Sequence, residues 1–234
     1  MQVGHTSYVT ALDYLPPVSG SSSSGTLVSG SRDTLLKLWD PSTAECQRSL
    51  SGHEYQITAV SHDPGSMVLL SASLDSSVRA WDASSGVCVR TFEEHKGPVL
   101  CLLPLCPGFF VTGSGDQSIK LWAVDSDASV KTLRGHSDSV RALSALNPPC
   151  ADPEAFMSVS FASASHDGTL RLWTPARGRL ATLQGHASLV YDVAAGADGA
   201  LASCSEDGTV KIWQRAPGDV GAACVQTVEL PGTT

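Results

Sequence analysis

The sequence predicts an all-β protein built from five similar units, each folding into a four-stranded antiparallel sheet. The first observation is an Asp followed six residues later by a Trp, which occurs five times in 234 residues. The second is a His upstream of each pair, and successive histidines lie 41 to 50 residues apart. The repeated residues are His5, Asp33 and Trp39; His53, Asp75 and Trp81; His95, Asp116 and Trp122; His136, Asp167 and Trp173; and His186, Asp207 and Trp213.

Each unit contains short runs of alternating apolar and polar residues. In the last unit these runs are SLVYDVAA, GALASCS, TVKIW and CVQTVEL, separated by ADG, EDG and APGDVG. Asp-Gly and its neighbours are typical of tight turns between antiparallel strands, and no segment has a helical period. Four short strands in each period of about 40 residues predict the blade of a β-propeller. We place the units of this single domain (1–234) at about 4–51, 52–93, 94–134, 135–184 and 185–230.

The first and fourth units are longer than the others. The added residues are LPPVSGSSSSG (15–25) and NPPCADPEAF (147–156), whose Pro, Ser and Gly content is typical of loops. Both lie between the first two strands of their units. We therefore expect them to project from one face without disturbing the sheet.

The recurring polar residues are predicted to be structural, because a blade packed between two neighbours needs partners for its buried polar groups. The carboxylate of the turn Asp can accept backbone N–H groups, the His can bridge the Asp to a hydroxyl, and the Trp N–H can donate. A hydroxyl residue precedes every Asp by four positions, and a Ser also precedes it by two, so the spacing leaves the partner of the His open. The residues at the first of these positions are Ser29, Ser71, Thr112, Ser163 and Ser203.

A Ser, His and Asp are also the residues of a hydrolase triad. Five copies in series, each with a Trp, argue against that interpretation, and the chain has no GxSxG turn, phosphate-binding loop or HExxH motif. We therefore predict no catalytic residue, no cofactor and no metal site.

Composition excludes several classes of protein. The net charge of −8, from 15 basic and 23 acidic residues, argues against nucleic-acid binding through phosphate neutralisation. No apolar stretch is long enough to span a bilayer, and the first residues do not resemble a signal peptide. The seven cysteines form no CxxC pair, which favours a reduced chain. We expect a location in the cytoplasm, with the nucleus as a second compartment.

Positions that differ between the units are the candidates for partner binding. Three positions in each unit are predicted to line one end of the propeller: the residues on either side of the apolar residue four after the His, and the residue before the turn Asp. Tyr and Arg are frequent among residues that anchor protein interfaces. The candidates are Tyr8, Thr10 and Arg32; Gln56, Thr58 and Leu74; Pro98, Leu100 and Gly115; Ser139, Arg141 and His166; and Leu189, Tyr191 and Glu206. The alternative is that some of them pack between blades.

The period and the Asp-to-Trp spacing identify a WD-repeat chain, and several segments resemble a narrower family. The segments are GHTSYV, EEHKGPV, SASHDGTLRLW, GHASLVYDV, SCSEDGTVKIW and CVQTVELPG. Together they resemble the propeller of the phospholipase A-2-activating protein family. That resemblance implies a seven-bladed ring that binds ubiquitin or ubiquitylated proteins, in degradation and ubiquitin recycling. It also implies an AAA ATPase partner, valosin-containing protein, bound through other domains of the family and not through this propeller.

Compared with that family, the chain matches the second to sixth blades. We therefore expect an incomplete seven-bladed ring with two open sheet edges. The leading functional hypothesis is a ubiquitin-binding interaction module. The alternative is a general WD-repeat scaffold or the substrate receptor of another complex, although a receptor for phosphorylated motifs needs more ring arginines than Arg32 and Arg141.

Overall fold

The computed structural model describes residues 4–17, 25–64, 66–146, 152–196, 199–214 and 222–229. Within these residues twenty β-strands form five four-stranded antiparallel sheets. In every sheet the strands lie side by side in chain order. This order confirms the predicted all-β class and the prediction of four strands in each blade.

The twenty strands belong to the five blades in chain order. The first blade contains β1 (Val9–Leu15), β2 (Thr26–Ser31), β3 (Leu36–Trp39) and β4 (Cys46–Leu50). The second contains β5 (Ile57–His62), β6 (Val68–Ser73), β7 (Val78–Asp82) and β8 (Cys88–Phe92). The third contains β9 (Val99–Cys106), β10 (Phe109–Ser114), β11 (Ile119–Ala123) and β12 (Lys131–Leu133).

The last two blades repeat the same arrangement. The fourth contains β13 (Val140–Ala145), β14 (Phe161–Ser165), β15 (Leu170–Thr174) and β16 (Gly178–Leu183). The fifth contains β17 (Val190–Ala195), β18 (Leu201–Ser205), β19 (Thr209–Gln214) and β20 (Ala223–Glu229). Among the described residues no helix is long and apolar enough to cross a bilayer.

The hydrophobic core lies between the blades. Four clusters of buried side chains each join one blade to the next. Between the first two blades, for example, Leu36 and Leu38 pack in one cluster with Ile57, Leu69 and Trp81. At each of these four interfaces the earlier blade contributes residues of its second and third strands, and the later blade contributes the face that carries its Trp.

Small residues let the first strand of one blade approach the second strand of its predecessor. A Cβ atom placed on Gly30 would lie 2.5 Å from Cγ2 of Ile57, and one on Gly113 would lie 2.6 Å from Cγ1 of Val140. The second blade has Ala72 at this position, packed in the same cluster as Val99. The close approach of two sheets therefore depends on this position.

The second long insertion departs from the sequence prediction. Residues Pro153–Ser158 form a short 3-10 helix, too short to show a helical period in the sequence. The ring of Phe156 stacks on Phe109 of the third blade, with centroids 3.9 Å apart. The sequence pattern predicted a projecting loop that leaves the sheet undisturbed, and β13 and β14 do pair around it, but the pattern gave no sign of this aromatic contact. Residues 18–24 and 147–151 of the two insertions lie outside the described residues.

The cysteines show one further difference. Five described cysteines are free thiols, and burial raises the pKa of the Cys101 thiol to about 12. Cys106, however, is disulfide-bonded, so the expectation of a fully reduced chain is wrong at this residue. The absence of CxxC pairs did not exclude it, because a disulfide requires closeness in space and not in sequence.

Replacing Gly30 with Ala is expected to destabilise the protein by about 1–3 kcal/mol, because the methyl group would overlap Ile57 in a packed interface. Urea unfolding followed by circular dichroism measures this change. The matched control is Gly4→Ala, since a Cβ at Gly4 has no atom within 4 Å. Equal stability of the two variants would contradict the packing argument.

Candidate functional site

The polar network of each blade connects its first three strands. In the second blade His53 Nδ1 lies 2.8 Å from the carboxylate of Asp75, and its Nε2 lies 2.7 Å from the hydroxyl of Ser71. Trp81 Nε1 donates to the same hydroxyl at 2.9 Å. The hydroxyl four residues before the Asp is therefore the partner of the His, which resolves the alternative that the sequence left open.

The same network occurs in all five blades. Each His lies between 2.7 and 2.9 Å from its Asp carboxylate and between 2.7 and 2.8 Å from the hydroxyl. Each Trp donates to that hydroxyl at 2.7 to 2.9 Å. The Ser two residues before the Asp has another role. It accepts the Asp backbone N–H at 3.0 to 3.2 Å, which fixes the turn.

The hydrogen bonds of the network form one directed chain when the imidazole is neutral. The Trp N–H donates to the hydroxyl, the hydroxyl donates to Nε2, and Nδ1–H donates to the carboxylate. Burial alone would raise the pKa of Asp75, but the hydrogen bonds from His53 and Ser77 outweigh it and hold that pKa below its usual value. Burial lowers the pKa of His136 despite its bond to Asp167. Both shifts favour a neutral His beside an ionised Asp.

This arrangement is poorly suited to catalysis by the hydroxyl. The side chain of Ser71 is completely buried, as are Thr112 and Ser163, so no substrate reaches the oxygen. The oxygen is also occupied by both the His and the Trp. Within the part of the chain that the structure describes, no three His, Cys, Asp or Glu side chains are grouped to hold a metal ion.

The predicted partner-binding positions do come together at one end of every blade. A backbone hydrogen bond joins the residue before the turn Asp to the residue three after the His, with an N···O distance of 2.8 to 3.0 Å. The pairs are Arg32 with Tyr8, Leu74 with Gln56, Gly115 with Pro98, His166 with Ser139, and Glu206 with Leu189. We call these ten residues, with the five described next, the ring surface.

The third position in each blade is a β-bulge. The first strand pairs with the second on both sides of one extra residue that has no partner in the register. A bulge redirects a side chain at the end of a strand. The bulged residues are Thr10, Thr58, Leu100, Arg141 and Tyr191.

The ring residues divide into two groups by exposure. Those mainly open to solvent are Tyr8, Thr10, Arg32, Leu74, Pro98, Tyr191 and Glu206. Those half-buried are Gln56, Thr58, Leu100, Gly115, Ser139, Arg141, His166 and Leu189. The ring surface therefore presents aromatic and aliphatic side chains, with Arg32 and Glu206 as its mainly exposed charges.

Two ring residues have a structural role as well. The hydroxyl of Thr10 donates to the carbonyl of Ile57 at 2.5 Å, and that of Thr58 donates to the carbonyl of Val99 at 2.7 Å. The first bond joins the first blade to the second, and the second bond joins the second blade to the third. Packing between blades, the alternative recognised from the sequence, therefore applies to these two threonines.

Tyr55 lies beside the ring surface, although it is at none of the positions that the repeat pattern singles out. Its side chain is 61% exposed, and it directly precedes Gln56 of the ring surface. Its carbonyl accepts the hydroxyl of Ser73 at 3.0 Å, which fixes the backbone of this loop. An aromatic residue in a loop next to a predicted binding position was the signal that could have identified it.

The fold and the site define a scaffold for protein interactions, of a class that is generally non-catalytic. The model of the family described as "WD domain, G-beta repeat" matches residues 1–40, 44–82, 86–123, 127–174 and 177–214. These matches cover more than half of the chain, and the chain belongs to this family. From the second match onward, each contains the fourth strand of one blade and the first three strands of the next.

Shorter segments are similar to curated WD-repeat proteins. The chain is 44% identical over 64 residues to nuclear distribution protein PAC1 of Arthroderma benhamiae. The aligned segment covers 26% of this chain and 14% of that protein. The chain is 58% identical over 36 residues to polyadenylation factor subunit 2 of Gibberella zeae, which covers 15% and 6%. The matches span only these small parts of the relatives, and the narrower resemblance to the phospholipase A-2-activating protein family remains an expectation.

Replacing Ser71 with Ala is expected to destabilise the protein by about 3 kcal/mol, because His53 Nε2 and Trp81 Nε1 would both lose their buried partner. Chemical unfolding measures the difference. Ser84→Ala serves as the control, since that exposed hydroxyl bonds only to Asp82 in an exposed turn, and a change within about 0.5 kcal/mol is expected. A loss at Ser71 no larger than at Ser84 would refute the role of the network.

Stability is expected to fall as the pH drops below 6.5. The unfolded chain takes up a proton at His136 near pH 6.5, while the folded chain resists it, so the stabilisation is present above that pH and is lost below it. A second loss begins below pH 3.8, where the unfolded chain protonates Asp75, Asp116 and Asp167 before the folded chain does.

Urea midpoints measured from about pH 7.5 to about pH 3 test whether the two losses of stability occur in this order. The free energy of unfolding should change by up to about 1.4 kcal/mol per pH unit for each proton taken up. Stability that is constant from pH 7.5 to pH 4.5 would contradict the expectation.

Proposed function

We propose that the ring surface binds ubiquitin, which makes the chain a ubiquitin-recognition module within an intracellular degradation or recycling pathway. The observation that carries this proposal is the set of exposed apolar side chains at the ring surface and beside it, in the first, second and fifth blades. Tyr8 is 76% exposed, Tyr55 61%, Tyr191 41% and Leu74 36%. An apolar surface of this kind fits the apolar patch on ubiquitin that its binding partners use.

The construction of the ring surface supports binding by preformed geometry. Its side chains project from turns and bulges whose backbones are fixed by hydrogen bonds in every blade. Fixed anchors lose little conformational entropy when a partner binds. Tyr side chains combine a large apolar area with a polar group, which is why they are frequent among energetically dominant interface residues.

Two polar atoms of the fourth blade also favour a partner. Arg141 Nε and His166 Nε2 are buried, and among the described residues neither has a hydrogen-bond partner. The ring of His166 packs edge-on against Tyr191, with centroids 5.6 Å apart. A bound protein that offers a carbonyl or carboxylate oxygen to Arg141 would satisfy a group that otherwise costs free energy.

The test is a titration of isotope-labelled ubiquitin followed by NMR. Addition of the chain should shift the resonances of the apolar patch, and Tyr8→Ala or Leu74→Ala should weaken the affinity about tenfold. Val89→Ala is the matched control, because Val89 is 53% exposed on the fourth strand of the second blade, away from the ring surface. Absence of shifts at millimolar protein concentration would reject ubiquitin as the partner.

The second candidate is a scaffold in a different intracellular complex. The observation that favours it is the similarity of segments of 64 and 36 residues to proteins named for nuclear distribution and polyadenylation. The same ring residues would then contact another protein. Cross-linking from a photoreactive residue at position 8 in cell extract, with position 89 as the control, would distinguish the two candidates by the mass of the adduct.

A further inference from the structure

The fourth blade carries a positive charge at a position where the other blades place neutral residues. The bulged residue of its first strand is Arg141, whereas the equivalent residues are Thr10, Thr58, Leu100 and Tyr191. In the first two blades the threonine hydroxyl donates to a carbonyl of the next blade. Arg141 Nε is instead buried, and it has no hydrogen-bond partner among the described residues. Its guanidinium therefore does not take over the bond that joins blades elsewhere.

No acidic side chain compensates this charge within the part of the chain that the structure describes. The Lys and Arg side chains that form ion pairs there are Arg90, Lys120 and Arg171, and none of these pairs includes Arg141. Arg141 is half-buried, so it has lost part of its hydration. A partly desolvated cation without a partner costs free energy. That cost calls for an explanation, and a ligand that supplies the missing anion provides one.

His166 adds a second donor at the same end of the β13–β14 pair. It directly follows Ser165, which pairs with Val140, the neighbour of Arg141. Its Nε2 is buried, and no described residue forms a hydrogen bond with it. Its ring packs edge-on against Tyr191, a contact that restricts its orientation. The fourth blade therefore offers a guanidinium and an imidazole N–H that the folded chain does not use.

A carboxylate suits these two donors better than a phosphate. A guanidinium binds a carboxylate through two parallel N–H···O bonds, and an imidazole N–H can add a third. Arg141 supplies one positive charge, which balances a carboxylate but only part of a phosphate dianion. The other arginine of the ring surface, Arg32, lies in the first blade. Half-buried Leu100 and Leu189 occupy ring positions of the adjoining blades and suit the aliphatic stem of an acidic side chain.

We propose that Arg141 and His166 form a subsite of the ring surface that binds the carboxylate of an Asp or Glu side chain of the protein partner. This inference rests on the proposed role of the ring surface in partner binding, and it names the chemical group that the fourth blade recognises. Apolar side chains elsewhere on the ring surface supply contact area, and this subsite selects a partner with an acidic residue at one place. A partner without that residue would leave both donors buried and unpaired.

Replacing Arg141 with Leu tests the subsite, because the third blade already carries Leu100 at the equivalent bulge. The variant is expected to be at least as stable as the wild type in urea unfolding, since it removes an unsatisfied group. It should bind isotope-labelled ubiquitin about tenfold more weakly. Arg179→Leu removes the same charge from the exposed face of β16 and should leave the affinity unchanged. A clear loss of stability in Arg141→Leu would assign the residue a structural role and overturn the proposal.

A titration with sodium acetate tests the subsite independently of ubiquitin. With isotope-labelled arginine, the Nε–H resonance of Arg141 is identified by its absence from Arg141→Leu. It should shift and saturate with acetate, but not with sodium chloride at the same ionic strength. No response to acetate, or equal affinity of the wild type and Arg141→Leu for ubiquitin, would overturn the proposal. A response to acetate without any binding of ubiquitin would support the subsite and reject ubiquitin as its partner.

Discussion

A single buried hydroxyl on the second strand of each blade holds the polar interior together. It accepts from the Trp on the third strand and donates to the His that precedes the first strand. The His in turn fixes the Asp of the turn between the second and third strands. Because the members are buried or half-buried and share partners, removing one leaves others unsatisfied, and the network behaves as a unit. A single hydrogen bond to this hydroxyl adds little free energy, but the connected bonds fix the relative positions of three strands.

The same network positions the surface that varies between blades. The turn Asp is held from the interior, and the residue before it is bonded through its backbone to the loop after the His. The side chains at these positions are consequently free to differ while their backbone stays the same. Tyr8 and Arg32 in one blade, or Ser139 and His166 in another, occupy equivalent sites. This separation of constant interior from variable rim is what lets one repeat present many different surfaces.

Much of the fold could be predicted because its determinants are local. The strand lengths, the turns and the network residues recur at similar spacings in all five units. The pattern in one unit therefore supports the same strand assignment in the others. The choice between the two hydroxyl positions could not be predicted, because Ser71 and Ser73 lie on the same strand and only the three-dimensional position of His53 separates their roles. The bulge at Thr58 could not be predicted either, since a shift in strand register does not change the residue pattern of the strand.

The remaining differences arise from contacts between distant segments. Phe156 belongs to an insertion that looks like an ordinary loop, and only the position of Phe109 explains why it folds back. Cys106 and its disulfide show the same dependence on proximity in space. The solvent exposure of a side chain also depends on contacts with distant segments. Val9 and Val140 stand at equivalent places in the repeat, yet one is 49% exposed and the other is fully buried, because Val140 packs against the third blade.

The offset between the repeated sequence and the sheets has a mechanical consequence. Each matched repeat after the first begins with the outermost strand of one sheet and continues into the three inner strands of the next. No boundary between repeats coincides with a boundary between sheets, so each repeat contributes strands to two neighbouring sheets. Tension along the chain that peels the outer strand β8 from its sheet would pull directly on β9 of the adjoining sheet. Local opening should therefore spread to the neighbour instead of stopping at a single blade.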